Sequence, residues 1–241
     1  MLNKLLVAAL LLTLTACAGK DLEMTDSAEV DYEKAVSLMS NYDYSRANIY
    51  LGEFSAKHPY SRYAIKAEIM RIYAAYMNSE FVLSETLAEG FISRHPDHAD
   101  IAYVRYLYGM SLFKQVSKPE RDQAFSQKAI DAFEEVIVRH PNSRYARDVR
   151  PKVQALRAYM AKHELLIGEH YFDREMYVAA ANRFKVVLDK YQDTPSIEEA
   201  LYYLAASYAA LNIKDSARET AMLLRYNFPE GEWSEKASSF L

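Results

Sequence analysis

One phrase, written twice and echoed twice more, constrains this chain more than any other feature. His58-Pro59-Tyr60-Ser61-Arg62-Tyr63-Ala64 returns as His140-Pro141-Asn142-Ser143-Arg144-Tyr145-Ala146, with looser copies at His95-Pro96-Asp97-His98-Ala99 and Phe228-Pro229. Pro59 and Pro96 stand 37 residues apart. Between the copies apolar residues recur at helical spacing, and no strand-like alternation rises above that pattern. A period of this size with helices between the marks predicts a solenoid of helix pairs, because each pair has an apolar face that only its neighbours can cover. Proline closes the second helix of a pair, since it lacks an N–H and disfavours helix in the residue before it. Asn142-Ser143 and Tyr60-Ser61 then offer N-caps for the helix that follows. Composition agrees: 51% of the 241 residues are hydrophobic and only 6 are glycine, which excludes a wholly disordered chain and argues against a turn-rich β architecture.

The repeats follow the tetratricopeptide pattern of W-x2-L-G-x2-Y, then A-x3-F, then proline. The fourth fits best, with Ile167, Gly168 and Tyr171 on its first helix, Ala180 and Phe184 on its second, and Gln192 where proline is usual. The fifth has Leu204, Ala205, Tyr208, Ala217 and Pro229, and the third has Gly109, Ala129, Phe133 and Pro141 after an enlarged loop near Ser117 to Gln123. The first keeps Ala47 and Pro59 with Leu51 in the aromatic slot, and the second holds little beyond Pro96. Small residues belong where paired helices approach closely, and Phe133 or Phe184 fills the adjoining hole. The predicted fold is all-α, a solenoid of about five tetratricopeptide-like helix pairs with a short closing helix around Ser234 to Phe240.

Ahead of the repeats lies an address. Lys4 precedes a ten-residue apolar run, Leu5 to Leu14, and then Thr15, Ala16 and Cys17. A basic start, a short apolar core and small residues before a cut read as a secretory signal, too short to span a bilayer permanently. Leu14-Thr15-Ala16-Cys17 resembles the bacterial lipoprotein box, and Cys17 is the only cysteine of the chain. The resemblance implies removal of residues 1–16 and lipid on Cys17, with several acyl chains giving a stable anchor. Ala18 in place of aspartate points to the outer membrane. Ala18 to Ser27 are polar and read as a tether, its extended reach about 35 Å at roughly 3.5 Å per residue.

Chemistry beyond anchoring is not legible. A net charge of −4 argues against non-specific nucleic-acid binding. Of 6 histidines, His58, His95 and His140 sit at helix C-termini, where an imidazole can meet free carbonyls. His95 and His98 have no third ligand nearby, so no metal is expected. His163-Glu164 begins like a zinc-protease helix, but Ile167 replaces the second histidine. No phosphate loop, dinucleotide fingerprint or serine elbow appears, so neither catalysis nor a cofactor is expected. Tyrosine is abundant, at 20 residues. Tyr73, Tyr76, Tyr103, Tyr106 and Tyr108 read chiefly as core, while a minority could line a peptide groove.

Taken together the phrases resemble the BamD family, lipoprotein subunits of the machinery that inserts β-barrel proteins into the outer membrane. The resemblance is carried by the lipoprotein box, by Lys57-His58-Pro59-Tyr60-Ser61, by Phe91-Ile92-Ser93-Arg94-His95-Pro96, by the third-repeat phrase from Arg139 to Ala146, and most strongly by Glu169 to Phe184. His170, Gln192 and Leu51 depart from it. It implies an N-terminal half, 29–97, that receives unfolded outer-membrane proteins, for which Tyr60, Tyr63, Tyr73 and Tyr76 are the candidates. It also implies a C-terminal half, 98–241, that docks the periplasmic domains of BamA through Arg174, Asn182 and Arg183, beside other lipoproteins of the complex. The expected location is the outer membrane, anchored after a tether over 17–28 and facing the periplasm. Arg183 lies about 100° around the helix from Phe184, at the margin of the buried face, and either reaches a partner or pairs internally with Asp173, Glu175 or Glu198. The competing function is an envelope adaptor for a protease or cell-wall enzyme.

Overall fold

The computed structural model describes residues 23–116, 118 and 123–241. The signal-like segment and Cys17 lie outside the described residues, as does most of the enlarged loop of the third repeat. Among the described residues ten helices of 13 residues or more form five consecutive pairs: α1 (Ala28–Ser40) with α2 (Tyr44–Lys57), α3 (Ala64–Met77) with α4 (Phe81–Arg94), α5 (Ile101–Phe113) with α6 (Ala124–Arg139), α7 (Arg144–Phe172) with α8 (Tyr177–Lys190), and α9 (Ile197–Ala210) with α10 (Lys214–Asn227). A short α11 (Glu232–Lys236) and a 3-10 turn (Ala237–Phe240) close the chain. No strand occurs among the described residues.

The chain divides into two compact units, Met1–Leu107 and Tyr108–Leu241. In the first, α1 packs on α2, α2 on α3 and α3 on α4; in the second, α6 packs on α7 and so on in order to α10. Contact chiefly between sequence neighbours, with a lighter one between α7 and α9, is the physical signature of stacked repeats. Ala47, Leu51, Ala129, Phe133, Ala180 and Phe184 are all fully buried, so the A-x3-F register read from the sequence is the one the chain adopts. Ser84 and Ala88, also fully buried, fill the same two slots in the second repeat, whose sequence keeps so little of the pattern. There the Ser84 hydroxyl donates to the Ile72 carbonyl at 3.0 Å, which satisfies a polar group in a slot that normally takes alanine.

The close approach predicted at the glycines is real. A Cβ on Gly109 would sit 2.6 Å from the Phe133 ring, and one on Gly168 would sit 2.8 Å from two Phe184 ring atoms, with a third nearer still. The Phe133 and Phe184 rings therefore lie directly against bare backbone. At the chain's end Ala237 is buried with Leu201, Ala205, Ala221 and Leu224, while Trp233 and Phe240 cover that cluster.

Two details differ from expectation. Ser143 does cap α7, accepting from the Ala146 N–H at 3.1 Å, but Tyr60-Ser61 does not cap α3, whose N-cap is Tyr63 with no side-chain bond. His58 and His95 occupy C-cap positions as expected, yet their rings do not seek carbonyls. They lie against the phenylalanine one turn back, with centroids 5.1 Å from Phe54 and 4.8 Å from Phe91, and turn toward the carboxylates of Asp31 and Glu68.

The turns inside four of the pairs share one device. Tyr42, Ser79, Glu175 and Asn212 each have φ near +60°, and the next residue's N–H reaches back to a carbonyl at the end of the first helix. Those bonds run Asp43 to Leu38, Glu80 to Ala75, Met176 to Tyr171 and Ile213 to Tyr208, each between 2.9 and 3.0 Å. Such left-handed closures are usually glycine; none of these is.

Candidate functional site

Two regions hold the residues singled out by sequence, one in each unit. In the first unit the chain just before α1 is fixed to the end of α2. Asp31, completely buried on α1, accepts the Thr25 N–H at 2.9 Å and the Tyr50 hydroxyl at 3.0 Å, with His58 Nε2 at 2.7 Å. Burial alone would raise the Asp31 carboxyl, but the Thr25 N–H, then His58, the Thr25 hydroxyl and Tyr50 outweigh it and hold it below the usual aspartate value. Tyr50 responds in the opposite sense, pushed up to about 12 by burial and then by the adjacent carboxylate. Lys57 adds a bond to the Met24 carbonyl at 3.2 Å, and Met24 itself packs on the core of the first repeat. Residues 24–27 are thus clamped where composition suggests only a polar tether.

The four candidate tyrosines fall at the two ends of α3. Tyr60, in the α2–α3 loop, is 99% exposed. Tyr63, the N-cap of α3, is engaged with α1 of the preceding pair, stacked on Tyr32 at 4.5 Å with its hydroxyl on Glu29 at 2.8 Å. Tyr73 and Tyr76 lie nearly three turns further on. Tyr76 meets Phe81 edge-on at 5.7 Å, and Tyr73 sits in a row of rings, Tyr42–Tyr44–Tyr73–Tyr103, with successive centroids 6.2, 6.0 and 6.5 Å apart. The row combines a residue of the first turn, one each from α2 and α3, and one from α5. Tyr44, half-buried within it, has its hydroxyl pushed up first by burial and then by Tyr73. Neither Tyr42 nor Tyr44 stood out in the sequence, because their spacing follows no single helix face.

In the second unit α7 and α8 pack through Gly168 and Phe184 and leave one face of α8 open. Asn182 and Arg183 line a shallow hollow of about 310 Å³ with Tyr171, Ala179 and Val186. A second hollow of about 450 Å³ adjoins it, lined among others by Met176, Val178, Asn182 and Leu211. Met176 and Val178 are exposed there. Arg183 is paired: its Nη1 donates to Glu164 Oε2 at 3.0 Å. The internal partner is thus Glu164 on α7 rather than Asp173, Glu175 or Glu198. With 41% of its side chain exposed, the guanidinium keeps donors on the open side. Arg174 is exposed in the α7–α8 turn and lines neither hollow. One turn back along α7, Glu169 lies 3.9 Å from Lys162, which is 3.6 Å from Glu199. Burial pushes the Glu169 carboxyl up; Lys162 opposes this and Glu199 adds to it.

Among the described residues no group of three or more His, Cys, Asp or Glu side chains is placed to hold a metal, and no helix is long and apolar enough to cross a membrane.

Residues 24–223 match the family YfiO, described as outer membrane lipoprotein. A protein of Rickettsia prowazekii named outer membrane protein assembly factor BamD is 33% identical, the match covering 96% of this chain and 94% of that one. Its namesake from Caulobacter vibrioides is 31% identical over 95% of this chain and 75% of its own length. The TPR2AB domain of yeast Sti1, solved as its pHSP90 complex, overlays with a TM-score of 0.48 at 13% identity, covering 88% of this chain and 81% of that one.

Proposed function

We propose a working mechanism from the premise that this chain belongs to the YfiO family of outer membrane lipoproteins, the family of the BamD relatives. It is an outer membrane protein assembly factor and takes part in the assembly complex that its relatives are named for. The adaptor reading is set aside, since the matching relatives are assembly factors.

The finer assignments are ours. The chain is a scaffold without turnover, anchored by lipid on Cys17 and facing the periplasm. The open face of α8 docks the periplasmic part of BamA. What supports this is the combination at Arg183: a cation held in place by Glu164 at one hollow, beside Asn182, which lines that hollow and its neighbour, both floored by apolar side chains. An arginine fixed on one side and free on the other offers a carboxylate two parallel hydrogen bonds without first losing its own side-chain freedom. The hollows supply apolar area around that contact. Arg174, in the adjoining turn, adds charge at the rim, where it steers more than it binds.

Substrate reception belongs to the first unit. An unfolded barrel segment offers an extended backbone with alternate side chains on one face and an aromatic at its end. Tyr60, Tyr63, Tyr73 and Tyr76 flank such a track, and the tyrosine row through Tyr73 gives an arriving aromatic ring edges to pack against. Tyr63 to Tyr73 spans ten residues of helix, about 15 Å at 1.5 Å per residue, which an extended segment of four or five residues would match.

Affinity capture of this chain from detergent-solubilised envelope, followed by mass spectrometry, tests the reading. BamA and the other lipoproteins of the complex are expected. Recovery of a protease or peptidoglycan enzyme in place of BamA would overturn it.

A further inference from the structure

We infer that the α2–α3 loop, with Tyr60 at its tip, rests on the phospholipid surface of the membrane to which the chain is anchored. The inference relies on the proposed lipid at Cys17. Its ground is the clamp at Asp31. Because the Thr25 N–H is bound by the Asp31 carboxylate and Lys57 bonds the Met24 carbonyl, the fold takes hold of the chain at Met24 and Thr25, ahead of α1. Only seven residues, 18–24, lie between Cys17 and Thr25, which puts the two at most about 28 Å apart, eight steps of roughly 3.5 Å. The clamp sits at the C-terminal end of α2, and the α2–α3 loop leaves from that same point. A leash this short keeps the loop end of the first repeat toward the bilayer, and the α1–α2 turn lies at the other end of α2, about 21 Å away for 14 residues.

The side chains at that end suit the surface. Tyr60 is 99% exposed on a two-residue Pro59-Tyr60 tip, and a tyrosine projecting alone into water has an apolar ring and a polar hydroxyl, the combination favoured at headgroup level. Lys57 and Arg62 flank it in exposed pairs with Asp26 and Glu29, at 3.1 and 2.8 Å. Pairs so exposed contribute little to the fold, so Arg62 can turn to a lipid phosphate at small cost while Lys57 stays on the Met24 carbonyl. The peptide track proposed above would then begin at the membrane.

The test uses the lipidated full-length protein in vesicles of phosphatidylethanolamine and phosphatidylglycerol containing nitroxide-labelled lipid. Since Cys17 carries the acyl chains, a cysteine introduced elsewhere is the sole thiol for a fluorophore. Tyr60→Cys is compared with Tyr42→Cys, which is 78% exposed at the opposite end of α2. Quenching several-fold stronger at position 60 than at 42 is expected, and a flexible insert of about 20 residues after Lys20 should reduce it to the level at 42 while flotation with vesicles persists. Equal quenching at the two positions in floating protein overturns the contact and leaves the anchor standing. Protein that does not float with vesicles overturns the lipid anchor instead.

Discussion

Arg183 Nη1 donates to Glu164 Oε2 across the α7–α8 interface, 3.0 Å apart, with the acid largely covered and the arginine side chain 41% exposed. The pair gives the arginine an address without using up its donors. An ion pair this exposed contributes about 0–1 kcal/mol to folding, so its value lies in holding geometry. Arg183→Glu should abolish capture of BamA, while Glu164→Gln, which keeps a hydrogen-bond acceptor, should weaken it only slightly. Thermal midpoints of both should stay within a few degrees of the parent. Loss of BamA with Glu164→Gln equal to that with Arg183→Glu would make the internal pair the whole effect.

At the opposite extreme of burial, Gly168 and Phe184 test the repeat register through stability alone. Gly168→Leu would force a side chain into the Phe184 ring and should cost about 1–3 kcal/mol, or more if the helices must part. Phe184→Ala empties a fully buried site and should cost about 3–5 kcal/mol. Urea midpoints unchanged in both variants would mean that the helices do not meet there.

How much of this was legible beforehand differs by level. The five pairs, the closing helix and the Gly168–Phe184 approach could be read because packing writes them into spacing: small residue, three between, aromatic, then proline. The second repeat was illegible for a chemical reason, since Ser84 fills the alanine slot by bonding its hydroxyl inside the fold. Three of the four left-handed turn residues were hidden as well, because Tyr42, Ser79 and Glu175, unlike Asn212, are not residues that announce positive φ. Glu164, 19 positions before Arg183, and Asp31, six after Thr25, act through pairings that no helical periodicity marks.

Those turns carry a prediction of their own. Glu175 adopts φ of 61°, where a side chain is strained and glycine is not. Glu175→Gly should relieve about 1 kcal/mol of strain, partly offset by the greater freedom of glycine in the unfolded chain, and so raise the thermal midpoint slightly. A clear fall in the midpoint would show that the Glu175 side chain contributes something its geometry does not suggest.

The Asp31 clamp predicts a pH dependence whose sign is fixed by the direction of its shift. Its folded carboxyl titrates below the ordinary value of 3.8, so the native state favours the ionised form. The resulting stability is fully present above that value and is lost as pH falls through the lowered one. Asp31→Asn should lose about 1.5–3 kcal/mol at neutral pH, the cost of weakening hydrogen bonds to a charged group, and should show a flatter acid limb than the parent. Parallel acid limbs for the two proteins would remove Asp31 from the account.

Assembly of barrel proteins is what the whole account claims, and the most direct measurement is the amount of folded barrel protein in the outer membrane after this chain is depleted from its own host. Folded barrels resist unfolding in detergent until heated, so the folded fraction reads directly as a shift in electrophoretic mobility. The account predicts that this fraction falls as the chain is depleted, that the parent protein restores it, and that Arg183→Glu does not. Undiminished folded barrels after depletion would contradict it.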